Sequence, residues 1–299
     1  MIKTQNYIEH LEDALHRGIN PHSVTALANG VDNSGYAIYP LNDDKAKKNN
    51  IFRALATNIT LDGEKDNILR ISSSNSIADF VDPATRLIIE EDLNESKIPF
   101  DQYKLAKILK VSTDLLVDNE FPVIDHLDNE IAKKVCRAEE KSIINGAGNT
   151  IEPKGLLNLE LDGVTSASIT YDSVINLYFS LDEYYRHNAS FIVNDNTLLK
   201  LMNLTDEAGN LLYNRTNNTI LNKPVYVSNY MPDDKPILFG DFTYLWILYR
   251  EPIKVKRLGE FYEVQGEVCF EVKERLDFKL IDSNAIKVLI LNSQEESED

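Results

Sequence analysis

The stretch that most limits how this chain can fold begins at Phe121-Pro122 and stops at Asn145-Gly-Ala-Gly148. Proline is favoured in the first turn of a helix and glycine just past its end, so these pairs bracket a helix over 122–145. Within it Ile124, Leu127, Ile131, Val135, Ala138 and Ser142 follow at spacings of three and four, which lines them up on one stripe. The opposite surface receives Glu130, Lys133, Lys134, Arg137, Glu140 and Lys141, with Glu130 and Lys134 placed for an i,i+4 ion pair. A helix about twice the globular average is a spine, and it needs a long apolar surface to lie on.

The end of the chain carries a second long pattern. Val268, Phe270, Val272, Leu276, Phe278, Leu280, Ile286, Val288 and Ile290 share even parity, and charged residues fill most odd positions between Glu271 and Lys279. This alternation predicts a half-buried antiparallel strand pair bent at Asp282-Ser-Asn284. Between spine and strands, residues 150–260 read as a compact α/β unit. One helix, capped by Asp172 or Ser173, carries Val174, Leu177, Tyr178, Leu181 and Tyr184; another is capped by Asn194 or Asp195. Short strands are expected at Phe191-Ile-Val193, Val225-Tyr-Val227, Ile237-Leu-Phe239 and Tyr244 to Leu248.

The remaining segments look unable to bury themselves. Ile8, Leu11 and Leu15 mark a short amphipathic helix ended by Gly18 and Pro21. Residues 28–50, with the mixed-charge run Asp43 to Asn50, carry turn formers and little apolar content, as in an extended arm. From Ile68 to Lys104 a polar run, an apolar Leu87-Ile-Ile89 and the acidic Glu90 to Glu95 suggest two strands joined by a long charged excursion. A two-stranded hairpin is not stable alone, so something else must cover it, and a partner subunit is one candidate. Tyr103 to Val117 continues as a strand, and Gln294 to Asp299 is a solvated acidic end.

Charge narrows the function. Thirty-one Lys and Arg face 48 Asp and Glu, a net charge of -17, whereas a free-standing nucleic-acid or anionic-membrane binder carries a basic field. Cys136 and Cys269 read as buried thiols, since neither belongs to a CxxC or His-rich cluster. The first seventeen residues lack the apolar core of a signal peptide, and no apolar run approaches the ~18 residues of a span, so a cytosolic protein is expected.

Catalytic chemistry finds no foothold in the sequence. GxSxG and HExxH are absent, and His10, His16, His22, His126 and His187 are scattered. Gly146-Ala-Gly148 follows a helix and lacks a phosphate-cradle Lys. Thr205 to Asn210 lacks the alternating ligands of a calcium loop. Glu139-Glu140 and Asp233-Asp234 are adjacent pairs, expected to be solvated charge. Tyr184-Tyr185 and Tyr244-Leu-Trp246 have no basic groove beside them and are expected in the core and at subunit contacts. The expectation is no catalytic residue, no metal site and no cofactor.

The order of these features resembles the Hong Kong 97-type major capsid proteins of tailed phages. The resemblance is carried by Tyr103-Lys-Leu-Ala-Lys-Ile-Leu-Lys-Val-Ser-Thr-Asp-Leu-Leu-Val-Asp118, by Ala138 to Gly146 with Pro153-Lys-Gly155, and by Phe191-Ile-Val-Asn-Asp195. Ala208-Gly-Asn210, Leu238-Phe-Gly-Asp-Phe242 and Glu274-Arg-Leu276 complete it, so that it covers roughly Gly35 to Ile290. It implies an α+β fold divided into an N-terminal arm (1–66), an extended β-hairpin loop (67–104) and a peripheral domain (105–150 and 262–292) with the spine helix. An α/β axial domain (151–261) and an acidic tail (293–299) complete the expected division.

By the same resemblance, copies assemble as hexamers and pentamers into an icosahedral shell around double-stranded DNA, held without sequence-specific contacts. The expected localisation is the virion, assembled in the host bacterial cytoplasm, with no membrane partner. Only some thirty residues precede Gly35-Tyr-Ala-Ile-Tyr-Pro40, so little or no built-in scaffolding segment is expected, and a separate scaffolding protein, a portal and a head-maturation protease become partners. Some family members cross-link a loop Lys to an Asn with help from a Glu. Aligned on Glu274-Arg-Leu276, those two positions hold Gly266 and Lys273, so no self-catalysed cross-link is expected although Lys97 is available. A protein-cargo compartment with the same fold is the alternative reading, and a soluble enzyme with an unrecognised site is a third.

Overall fold

The computed structural model describes residues 37–38, 43–60, 67–72, 94–112, 114, 123–258 and 266–292. The expected helix at Ile8 to Leu15, the Leu87-Ile-Ile89 strand, the Phe121-Pro122 helix start and the acidic tail lie outside them.

The described chain opens with β1 (Ala37–Ile38), α1 (Asp43–Asn49), α2 (Phe52–Leu55) and β2 (Thr57–Thr60). Then come β3 (Asn67–Ser72), β4 (Asn94–Pro99), β5 (Tyr103–Ser112) and the spine helix α3 (Val123–Asn145). Next are β6 (Gly163–Ser166), α4 (Tyr171–Ser180), α5 (Glu183–Arg186), β7 (Ser190–Val193) and α6 (Asp195–Met202). Strands β8 (Tyr213–Asn214), β9 (Thr219–Ile220), β10 (Lys223–Val227) and β11 (Ile237–Gly240) follow. The long β12 (Leu245–Leu258) and β13 (Glu267–Leu280) precede a closing β14 (Ile286–Leu291).

Two sheets organise these elements. In the first the order is β1-β12-β13-β5, with β2 also pairing β12 in parallel. The spine helix lies over it, and Leu127, Ile131 and Val135 pack with Leu109, Phe270 and Val272. In the second, of order β6-β14-β11-β7-β10-β9-β8, the core is built from Val174 and Leu177 of α4, Leu201 of α6, and Phe191 stacked on Phe239 at 4.2 Å. A third apolar cluster, with Ile143, Ile144 and Phe278, includes Phe52 and Phe242 in edge-to-face contact at 5.8 Å.

The strand pair expected across Asp282-Ser-Asn284 does not form. A 3-10 turn over Ser283–Ala285, capped by Asp282, passes the chain from β13 in the first sheet to β14 in the second. Alternation reports which side of a strand is buried but not which core buries it, so two runs of one parity can serve different sheets. Residues 245–258 likewise sit beside the spine instead of in the expected α/β unit, because Pro252 does not end β12. It falls among the register shifts between Tyr249 and Lys254, where a strand tolerates proline.

The arm expectation also fails for residues 43–60. Asp43 to Asn49 is helical and packs against the spine, with Ala46 and Asn50 buried and Phe52 fully enclosed. Composition misled because two or three anchors suffice to seat a short segment. Local caps differ in detail: Thr170, not Asp172 or Ser173, caps α4, with Ser173 returning the bond to Thr170 N–H. That helix stops before Leu181, and Asp182 caps the separate turn carrying Tyr184. Asn194 caps α6 by accepting from Thr197 N–H at 2.7 Å.

The glycines after the spine do end it. Gly155 N–H donates to Gly146 C=O at 2.9 Å, and a Cβ at Gly146 would lie 2.2 Å from the Pro153 carbonyl oxygen. Only glycine allows this approach.

Candidate functional site

Glu139 and Glu140, expected in solvent, are both buried. Adjacent residues on a helix point about 100° apart, and here each direction meets a different piece of chain. Glu139 accepts from Asn50 Nδ2 at 2.9 Å and from Arg53 Nε at 2.8 Å, with Arg53 Nη2 completing a two-point grip. Glu140 accepts from Ile51 N–H at 3.2 Å and from the Ser228 hydroxyl. The spine therefore holds residues 50–53 with one carboxylate and ties them to the loop after β10 with the other.

Strand β13 adds a third carboxylate. Glu274 is on the even, core-facing parity of its strand, 2 % exposed, with Oε1 3.4 Å from Arg53 Nη2. Arg53 also lies over the Tyr249 ring, 4.7 Å from its centroid. Two buried carboxylates thus share one guanidinium. Burial and then the neighbouring Glu139 charge push the Glu274 carboxyl well above the usual range, with Arg53 only partly offsetting them. Its Oε2 is buried with no hydrogen-bond partner. Burial also raises the Cys136 thiol to about 12 and Tyr249 well above its usual value. Neither is poised as a nucleophile.

This cluster is a clamp that joins the spine, residues 50–53 and β13. Among the described residues no group of three or more His, Cys, Asp or Glu is arranged to hold a metal ion. Sequence reasoning passed over the clamp, although a charge at an even position between Val272 and Leu276 was a visible signal. Cys136 and Cys269 are both free and buried. Tyr184, Tyr185 and Tyr244 form an edge-to-face row at 5.3 and 5.2 Å, in which Tyr185 donates to Asp282 and Tyr184 is 73 % exposed.

Other features point outward. Strands β3 and β4 pair antiparallel from Asn67 with Pro99 to Ser72 with Asn94, and among the described residues they pair with no third strand. On the second sheet's unit, Phe179 and Leu199 are more than 60 % exposed. Lys97 of β4 is exposed, Gly266 sits at φ +66°, and Lys273 lies opposite Ala106 in the β13–β5 ladder.

A clamp between distant segments, a ribbon with no third strand among the described residues and exposed apolar residues suit a subunit of something larger. A family model described as the phage capsid family matches residues 43–290. The chain belongs to the phage capsid family. The capsid of a native GTA particle superimposes with a TM-score of 0.63 and 24% identity, over 83% of this chain and 91% of that one. A chain from Microbacterium phage Oxtober96 matches at 0.61 and 14% identity, over 92% and 99%. The satellite phage P4 procapsid that includes the size-determination protein gives 0.56 and 14%, over 83% and 96%. No curated protein matches the chain. The fold is the Hong Kong 97-type capsid fold that the order of sequence features implied, and the protein is a major capsid protein, a structural subunit that associates with its own copies into the shell of a virion. No helix among the described residues is long and apolar enough to cross a membrane.

Proposed function

We propose that this capsid protein closes, as hexamers and pentamers, into an icosahedral tailed-phage or prophage shell around double-stranded DNA, without sequence-specific contacts to it. The observation that carries this reading is the β3–β4 ribbon, a two-stranded element with no third strand among the described residues. Such a ribbon gains stability only against another surface, and a neighbouring copy provides one at every position of a closed shell. The net charge of -17 supports a wall that confines nucleic acid without gripping it.

Assembly in the host cytoplasm with a separate scaffolding protein, a portal and a head-maturation protease belongs to the same proposal. So do the lack of enzymatic activity and of a self-made cross-link: Gly266 offers no side chain for one. No observation favours the cargo-compartment or enzyme readings. Expression of the full chain followed by negative-stain microscopy tests the proposal. Uniform shells or capsomer rings are expected, and a stable isolated monomer under assembly conditions would overturn it. Denaturing gels of the shells should show a single band, whereas covalent ladders would refute the absence of cross-linking.

A further inference from the structure

The β3–β4 ribbon joins the rest of the protomer at two roots. Residues 61–66, at one root, lie outside the described residues, whereas Phe100, Asp101 and Gln102, between β4 and β5, are described. Strands β4 and β5 follow each other in the chain but belong to different sheets, so no ladder fixes the angle between them. The ladder of β5 with β13 stops at Tyr103 opposite Leu276, although β13 runs on to Leu280. Carried on in the same register, it would set Asp101 opposite Phe278. Side chains of β13 take over instead.

Asp277 and Lys279 are two apart on their strand and so project from the same face. The buried Asp277 carboxyl accepts from Asp101 N–H at 2.9 Å through Oδ2 and from Phe278 N–H at 2.8 Å through Oδ1. Lys279 Nζ donates to the Pro99 carbonyl at 2.6 Å and lies 5.5 Å from the centroid of the Phe100 ring. The same ammonium stands 3.7 Å from Asp277 Oδ2 and 3.9 Å from Asp101 Oδ2. Phe100 itself is buried, and at the first rung of β5 the Tyr103 hydroxyl donates to Asp101 Oδ2 at 3.5 Å.

Three successive residues at this root are thus held in three different ways: Pro99 by its carbonyl, Phe100 by burial beneath a cation, and Asp101 by its N–H. A turn that only reversed the chain would close on its own backbone, usually with one bond. These contacts instead tie the end of β4 to side chains of a strand that β4 does not pair with. What they fix is an angle.

We propose that Asp277 and Lys279 form a latch that sets the direction in which the ribbon leaves the protomer, so that the ribbon is aimed before a neighbouring copy is present. This goes beyond the shell reading, because it concerns the isolated subunit. An element aimed in advance has less freedom left to lose on association. Both side chains are positioning residues, acting on the ribbon through residues 99–101.

The test measures the angle directly. Spin labels at Lys97→Cys in β4 and Lys141→Cys in the spine, both exposed, report it as a distance distribution in the full-length, unassembled subunit, where the native cysteines are buried. A narrow distribution is expected for this labelled parent. Lys279→Met keeps the aliphatic stem and removes the ammonium; it should widen the distribution about twofold or more while leaving the urea midpoint near that of the parent. Lys279→Arg should restore the narrow distribution, since its guanidinium also donates to a carbonyl. Asp277→Asn, equal in shape but with only one accepting atom, should widen it too. A parent distribution as wide as that of Lys279→Met, or one that stays narrow in both Lys279→Met and Asp277→Asn, would overturn the latch. Widening that comes only with a lowered urea midpoint in both variants would mark a merely structural role and overturn it as well.

Discussion

Residues 43–60 and the β3–β4 ribbon look alike in the sequence, polar and poor in core formers, and the structure treats them in opposite ways. The first is fastened to its own subunit by Phe52 in an apolar cluster and by Arg53 between Glu139 and Glu274. The second has strand pairing and no third strand among the described residues. What separates them is not mean polarity but the presence of two or three deep anchors. Those anchors tie residues 43–60 to the protomer.

That contrast can be broken by experiment. Phe52→Ala removes a side chain with no exposure, and a loss of about 3–5 kcal/mol is expected in urea melts of the unassembled subunit. A loss under about 1 kcal/mol would mean that the segment is not part of the folded unit. Arg53→Ala leaves two buried carboxylates sharing no cation. Because Arg53 is itself 15% exposed, the lower end of the usual range, about 3 kcal/mol, is expected. Hydrogen exchange should localise the loosening to residues 43–60 and the Glu139 turn of the spine.

Glu274 sharpens the comparison through pH. Its pKa is raised in the folded state above the ordinary 4.5, so the folded protein binds the extra proton. The stability it contributes is complete below about 4.5, and it declines as pH rises toward and through the folded value. Glu274→Gln, neutral and similar in shape, should match wild type near pH 4.5 and equal or exceed it at pH 8. A wild-type stability that rises between those pH values relative to the variant would reverse the assignment. The smallest effect is expected at the ribbon. Replacing residues 73–93 by an Asn-Gly turn should change subunit stability by no more than about 0.5 kcal/mol while preventing shell formation.

The spine was legible because its signals are local: a 3.6-residue stripe and a glycine stop. The helix described over Val123–Asn145 ends at the expected 145, and its expected start at Phe121-Pro122 lies outside the described residues. The strand residues were legible too, since alternation survives in β13, where Val268, Phe270, Val272, Leu276 and Phe278 are all buried. Their partners were not. Parity is the same whichever sheet a strand joins, so β14 was assigned to the wrong neighbour. The clamp was hidden for a related reason. Arg53 meets Glu139 across 86 positions and Glu274 across 221, and nothing local distinguishes a carboxylate awaiting a distant guanidinium from one in water. Glu274 alone gave itself away, by its parity.

The 3-10 turn at Ser283–Ala285 is one of three places where the described chain crosses between the two large sheets, the others being the passage from β5 through the spine to β6 and the step from β11 to β12. Mechanically, the two sheets are therefore sewn together in parallel by three covalent threads. Tension that tends to part them within a wall is divided among three, and a single proteolytic nick in any one still leaves two. The ribbon has no such redundancy. A shell built from this subunit, with covalent threads inside each copy and noncovalent contacts between copies, should yield first between copies and last within them.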